Sequence, residues 1–243
     1  YNESTNVGGG IFSGDGLLHI EDCAVIGNHA GQWGGGVAVD YGGPACLLNT
    51  TISGNSANSH GGGFAAAVCS AELVNCTVAA NTCNMDAVGS QVGGGTITLS
   101  GADITLLNTI VDDNNRVLDG TGLILADDVT GQINPASVNN LIDAENGTGL
   151  VAGVNGNQVG ADAQLEPLAD NGGQTRTMAL PLTSPAVDAG NDFEAMTRGL
   201  GTDQRGLPRY VDTPAGEPFV YVDIGAYEAP GAMVVDTLDD ERD

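Results

Sequence analysis

Gly34-Gly35-Gly36-Val37, followed by Leu47-Leu48-Asn49-Thr50-Thr51-Ile52-Ser53-Gly54-Asn55, is one pass through a schedule that the chain runs four times. The passes open at Gly8, Gly34, Gly61 and Gly93, each the first residue of a glycine triplet, so the period is 26, 27 and then 32 residues. Fourteen or fifteen residues after each opening glycine stands a short polar residue: Asp22, Asn49, Asn75 or Asn108. Two residues before it comes Ile20, Leu47, Leu73 or Leu106, and three after it Val25, Ile52, Val78 or Val111. Three further on is Asn28, Asn55, Asn81 or Asn114.

A repeat of this length, built from β-branched runs and turn residues without helical periodicity, predicts stacked coils of parallel β-strand. Stacking places equivalent residues about 4.8 Å apart, so each aligned column becomes a ladder. The two aliphatic columns are expected to point inward. The asparagine columns are expected at corners, where Asn tolerates left-handed φ and its amide reaches the next coil. The fold class predicted is therefore all-β: a right-handed, single-stranded parallel β-helix with an irregular C-terminal cap.

Composition agrees with a narrow interior. Of 243 residues, 41% are hydrophobic and only 4% aromatic, and 38 are glycine. The formal charge is −25, and the six cations are all arginine. Such a field repels nucleic-acid phosphates and anionic lipid, so neither is an expected partner. It attracts Ca²⁺ or suits a high-salt habitat. No apolar run reaches the 18 or so residues of a membrane-spanning helix. Asn2 precedes Gly8 as Asn28 precedes Gly34, so the chain is expected to start inside a coil, as a mature or excised piece. The open strand edge there then calls for a preceding repeat or a neighbouring copy.

Residues 1–163 are read as the coils, 164–230 as the capping region, and 231–243 as a linker or the first strand of another unit. Within the coils, 84–92 extends a turn into a loop, and Thr96 departs from the Ile11, Val37, Phe64 column. The five cysteines leave at least one unpaired. Cys23 and Cys76 share a column two coils apart, beyond disulfide reach, and are expected as small core thiols. Cys46 and Cys69, on neighbouring coils at different offsets, are the candidate disulfide.

The C-terminal third carries Leu165-Glu166-Pro167-Leu168-Ala169-Asp170-Asn171-Gly172-Gly173, Ser184-Pro185-Ala186-Val187-Asp188-Ala189-Gly190, Asp203-Gln204-Arg205-Gly206-Leu207-Pro208-Arg209 and Val222-Asp223-Ile224-Gly225-Ala226-Tyr227-Glu228. This string resembles the C-terminal region of choice-of-anchor Q domain bacterial surface proteins. The upstream coils resemble the repeats of chlamydial polymorphic outer membrane proteins. The resemblance implies a pectin-lyase-like parallel β-helix held at the cell surface. The stretch from Met233 to Asp243 is similar to the opening strand of another such unit, which implies a tandem array or a head-to-tail fibre.

Read from the residues, Arg205 among Asp188, Asp203, Asp223 and Glu228 is a structural cluster that closes the solenoid end. Asp127 and Asp128, with Asp239, Asp240, Glu241 and Asp243, are the candidate oxygen ligands for Ca²⁺. A lyase needs a basic residue beside acidic metal ligands, and a hydrolase needs two carboxyls about 5 to 10 Å apart. The coils offer only Arg116 at their border, and Asp112 and Asp113 are adjacent, so on a strand they face opposite ways. His19, His29 and His60 are read as surface residues without an acid partner. The sequons at Asn49 and Asn75 are expected to be closed by burial, those at Asn2 and Asn146 less so. The expected function is a non-catalytic extracellular structural or adhesive building block whose partners are copies of itself, with surface polysaccharide as a further candidate. The alternative is a polysaccharide-binding or polysaccharide-degrading β-helix using Trp33 and the 84–92 loop.

Overall fold

A computed structural model describes residues 1–83, 93–99, 101–118, 121–210 and 221–230. The chain is a parallel β-solenoid, and the predicted stacking holds residue by residue. Sheet one runs Glu3–Ser4, His29–Ala30, Ser56–Ala57, Thr82–Cys83, Asn115–Val117, with Ile124–Ala126 added antiparallel at its edge. Sheet two runs Ile11–Ser13, Val37–Asp40, Phe64–Ala67, Thr96–Thr98, Val129–Thr130, Glu145–Asn146. Sheet three stacks Leu18–Glu21, Ala45–Leu48, Ser70–Val74 and Asp103–Leu107. Sheet four stacks Ala24–Ile26, Thr51–Ser53, Thr77–Ala79, Ile110–Asp112, Leu141–Ile142 and Gln158–Val159.

Ile20 lies over Leu47, Leu47 over Leu73 and Leu73 over Leu106. Val25, Ile52, Val78 and Val111 form the matching column in sheet four, which Ile142 extends. Both columns fill the interior with Val37, Phe64, Ile104 and Val129. Thr96 occupies the inward column between Phe64 and Val129, and its buried Oγ1 has no hydrogen-bond partner.

The two polar columns divide the tasks expected of both. Asp22, Asn49, Asn75 and Asn108 adopt left-handed φ of 44 to 51° and make the corner between sheets three and four. Asn28, Asn55, Asn81 and Asn114 are not left-handed; they form the amide ladder. In each step the backbone N–H and Nδ2 of one residue donate to Oδ1 of the next, at 2.9 to 3.0 Å. Asn2 starts this ladder on Asn28, and Asp128 ends it by accepting from Asn114. Buried backbone groups at each turn are thereby satisfied by the coil above.

The capping region is irregular, as expected, but the cluster expected to close the solenoid end lies on the flank, and the region covers that flank along its length. Thr175 reaches the carbonyl of Asp22 in the first coil, and Gln158 in the last reaches Pro185. Between them, Asn49, Thr51, Asn75, Thr77 and Asn108 each bond the C-terminal segment. Two apolar clusters seal the seam, one around Ile110, Leu141, Leu180 and Ile224, the other around Leu48, Val74, Leu107, Leu200 and Val222. A short helix, Asp192–Thr197, is capped by Asn191, whose backbone N–H donates to Asn108 Oδ1. Asn49 and Asn75 are buried with their amides engaged in this seam.

All five cysteines are free, which corrects the Cys46–Cys69 pairing. Cys46 lies beside Glu72, three residues along the neighbouring strand from Cys69. At about 3.3 Å per strand residue that offset exceeds disulfide reach of about 7 Å. Cys76 is a buried core thiol as expected, donating to backbone carbonyls of Leu47 and Val74.

Candidate functional site

Among the described residues, a dense charge constellation lies where the capping region meets the left-handed corner. Asp203 Oδ1 accepts from the backbone N–H groups of Arg205 and Leu207, and Oδ2 accepts from the Arg205 guanidinium and the Glu228 N–H. Arg205 Nε and Nη2 thus converge on one oxygen instead of forking across both. Its guanidinium also stacks over Tyr227 at 3.7 Å from the ring centroid. Arg209 is fully buried, with Nη1 3.0 Å from Glu228 Oε2 and Nη2 2.9 Å from Asn49 Oδ1 and from the Gly225 carbonyl. Asp223 accepts from the N–H groups of Asp188 and Ala229, and its own N–H donates to Glu228. Asp188 contributes backbone at left-handed φ of 54° and a nearby negative charge.

Three buried carboxyls therefore face two guanidiniums. Burial, reinforced by Asp223, pushes Glu228 up to about 9 against the pull of Arg209. Burial also raises Asp223 to about 6, opposed by the N–H bonds of Ala229 and Asp188. Carboxyls poised near neutrality are what acid–base chemistry uses. These are closed off: Arg209 is 0% exposed, Glu228 2% and Asp223 1%, with backbone N–H groups occupying their oxygens.

A second group comprises Asp112, Asp128 and Asp143, which present carboxylate oxygens within 4.8 Å of one another. The register that pairs Ile110 with Leu141 and Val111 with Ile142 carries Asp112 over Asp143, and Asp128 arrives as the last rung of the amide ladder. Asp112 accepts from the N–H groups of Asp113 and Ala163, and Asp128 from Asn114 and Ala144. Burial raises Asp112 to about 6 and Asp128 to about 7. Ca²⁺ takes six to eight oxygens. Three carboxylates, two of them committed to backbone donors, fall well short of that set.

Asp127, read from sequence with Asp128 as a calcium ligand, instead accepts from Gly93 N–H and Thr130 Oγ1 and lies 3.5 Å from Arg116. Asp239, Asp240, Glu241 and Asp243 lie outside the described residues, as does the 84–92 loop. Trp33 is half-buried and in register with His60. His29 Nδ1 lies 2.9 Å from Ser56 Oγ, and His19 Nε2 lies 3.2 Å from Glu21 Oε2, so His19 does have an acid partner.

Sequence reasoning missed the Asp112–Asp143 stack and the step from Thr109 through Asn140 to Asn157, where each backbone N–H donates to the next Oδ1. The signal was present: Thr109-Ile110-Val111-Asp112 and Asn140-Leu141-Ile142-Asp143 match position by position. Among the described residues, no helix is long and apolar enough to cross a membrane. No protein-family model matches the chain, and neither a curated protein nor a solved structure is found similar to it.

Proposed function

We propose that this β-solenoid is a non-catalytic structural element of a cell surface or extracellular layer, stacking with copies of itself or with tandem repeats along its axis. The observation that supports this reading is the closure of the Arg209–Glu228–Asp223–Asp203–Arg205 constellation. The paired charges that would suit catalysis are sealed in a seam and spent on holding the C-terminal region to the coils. The acidic exterior supports a solvated, non-nucleic-acid environment. Along the axis, Asn2 repeats the geometry of the later rungs, so a coil stacked before it meets an amide column already in register.

The test incubates the protein with a panel of acidic and neutral polysaccharides and follows unsaturated uronides and new reducing ends. Absence of turnover is expected; steady product release would overturn the structural reading. Electron microscopy of the native assembly supplies the positive arm, with copies expected end to end.

A further inference from the structure

Strand alternation turns Ile52 and Val78 into the core, so Thr51 and Thr77, paired in register, face the segment that covers the flank. The two hydroxyls meet different groups there. Thr77 Oγ1 accepts the Ala226 N–H, whereas Thr51 Oγ1 donates to the side-chain carbonyl of Gln204 at 2.6 Å. Thr51 is 0% exposed and Gln204 3%. The Gln204 amide has one orientation, because Nε2 donates to the Arg176 carbonyl at 3.0 Å and to Thr175 Oγ1 at 2.9 Å. A backbone carbonyl can only accept, so Oε1 must face Thr51. Both backbones are pinned as well, the Thr51 N–H on the Cys23 carbonyl and the Gln204 N–H on that of Ala226.

We propose that Thr51 and Gln204 mature into an intramolecular ester that joins the second coil covalently to the C-terminal region. Cδ of Gln204 lies one C=O bond, about 1.2 Å, beyond the oxygen that the hydroxyl already touches. A small tilt of the amide presents the face of that carbon to Oγ1. The Oγ1–Cδ bond forms as the hydroxyl proton passes to Oε1. The carbonyl then reforms, the Cδ–Nε2 bond breaks, and the nitrogen leaves as ammonia with the proton that Oε1 surrenders. Nothing besides the two side chains is consumed. Thr175, half-buried against Nε2, marks the side from which ammonia escapes. The driving factor is fixed proximity, which for oriented groups reaches effective molarities of about 10⁵ M or more. Exclusion of water then protects the product from hydrolysis. The two side chains are 153 residues apart, so the ester can form only after the flank has docked. Thr183 Oγ1 and Gln164 Oε1 make the same contact at 3.0 Å on an exposed surface, and that pair should remain a hydrogen bond.

The full chain is followed by intact mass spectrometry, freshly folded and after several days in the folded state. A species lighter by one ammonia is expected to accumulate. Its proteolytic map should contain the Thr51 and Gln204 peptides joined, and mild hydroxylamine, which cleaves esters, should separate them. Thr51→Val, close in shape to the native residue, should keep the full sequence mass, as should the native chain aged in denaturant. Full sequence mass in the aged folded protein overturns the ester. So does an ammonia loss that maps to another position or persists in Thr51→Val. None of these outcomes depends on whether copies of the solenoid stack.

Discussion

Arg209 and Asn49, 160 residues apart in sequence, are joined by a buried hydrogen bond of 2.9 Å from Nη2 to Oδ1. Asn49 offers that oxygen because it sits at left-handed φ in the corner column, turned away from the coil interior. The same guanidinium holds Glu228 and the Gly225 carbonyl, so one side chain fastens the flank region to the second coil.

Arg209→Met is expected to destabilise the protein by about 3–5 kcal/mol, since it leaves a buried carboxyl group unpaired and two acceptors without a donor. Arg209→Lys keeps the charge but cannot span three acceptors, and should fall between. Denaturant unfolding gives the size. Limited proteolysis should show the 164–230 region cut first, because the coils retain their own core. Wild-type stability in Arg209→Met would show that the guanidinium does not fasten the flank.

This seam was the part least legible beforehand. Leu47 over Leu73 could be read from the sequence because a constant period forces equivalent residues into one column. Residues 164–230 have no period, so nothing local says that Gln204 will meet Thr51 or that Asp223 will meet Asn75. The residue types were still informative: arginines scarce among carboxyls marked the cluster, and only its position along the solenoid was hidden. The ladder role of Asp128 was hidden for a related reason. The coil before it is short, so a ladder rung arrived 14 residues after Asn114 in place of the usual spacing and passed for a free acid.

Glycines within one coil should respond very unequally to a methyl group. A Cβ on Gly35 would lie 2.2 Å from the Ser56 carbonyl oxygen and 2.3 Å from that of Gly62, both backbone atoms that the ladder fixes. Gly35→Ala is therefore expected to abolish folding or cost more than about 3 kcal/mol, at the upper end of overpacking. Gly54, at φ +65° in a position where Ala80 and Asp113 already tolerate 57°, has space around it. Gly54→Ala should cost only about 1–2 kcal/mol, the strain of a left-handed residue. Circular dichroism melts of the two variants decide the point, and similar losses would refute the steric assignment.

Stability should fall as pH rises from about 4 to about 9. The folded values of Asp223, about 6, and Glu228, about 9, are raised above their ordinary 3.8 and 4.5. Between the two sets the folded state binds more protons than the unfolded one, so the slope of unfolding free energy with pH is negative. The stabilisation is fully present below about pH 4 and lost as each folded group ionises. Accumulating negative charge on a chain of formal charge −25 acts in the same direction. Calorimetry from pH 4 to pH 9 is the measurement, and a melting temperature that climbs over that range would contradict the assignment.

Among the described residues, Thr96 is the place where the inward column carries a buried hydroxyl that finds no acceptor. It lies between Phe64 and Val129, it is buried, and the equivalent residues in the first three coils are Ile11, Val37 and Phe64. A buried hydroxyl without a partner costs about 1–3 kcal/mol relative to one that is bonded. Valine has nearly the same shape, so Thr96→Val removes that penalty without opening a cavity and should raise stability by about 1 kcal/mol or more. The backbone bond from the residue-96 N–H to the Asp128 carbonyl is unaffected by the change. Thr96→Ser leaves the hydroxyl in place, removes a methyl and should destabilise. If valine instead lowers the melting temperature, the Thr96 hydroxyl must be bonded in solution, and the fourth coil is packed differently from its neighbours.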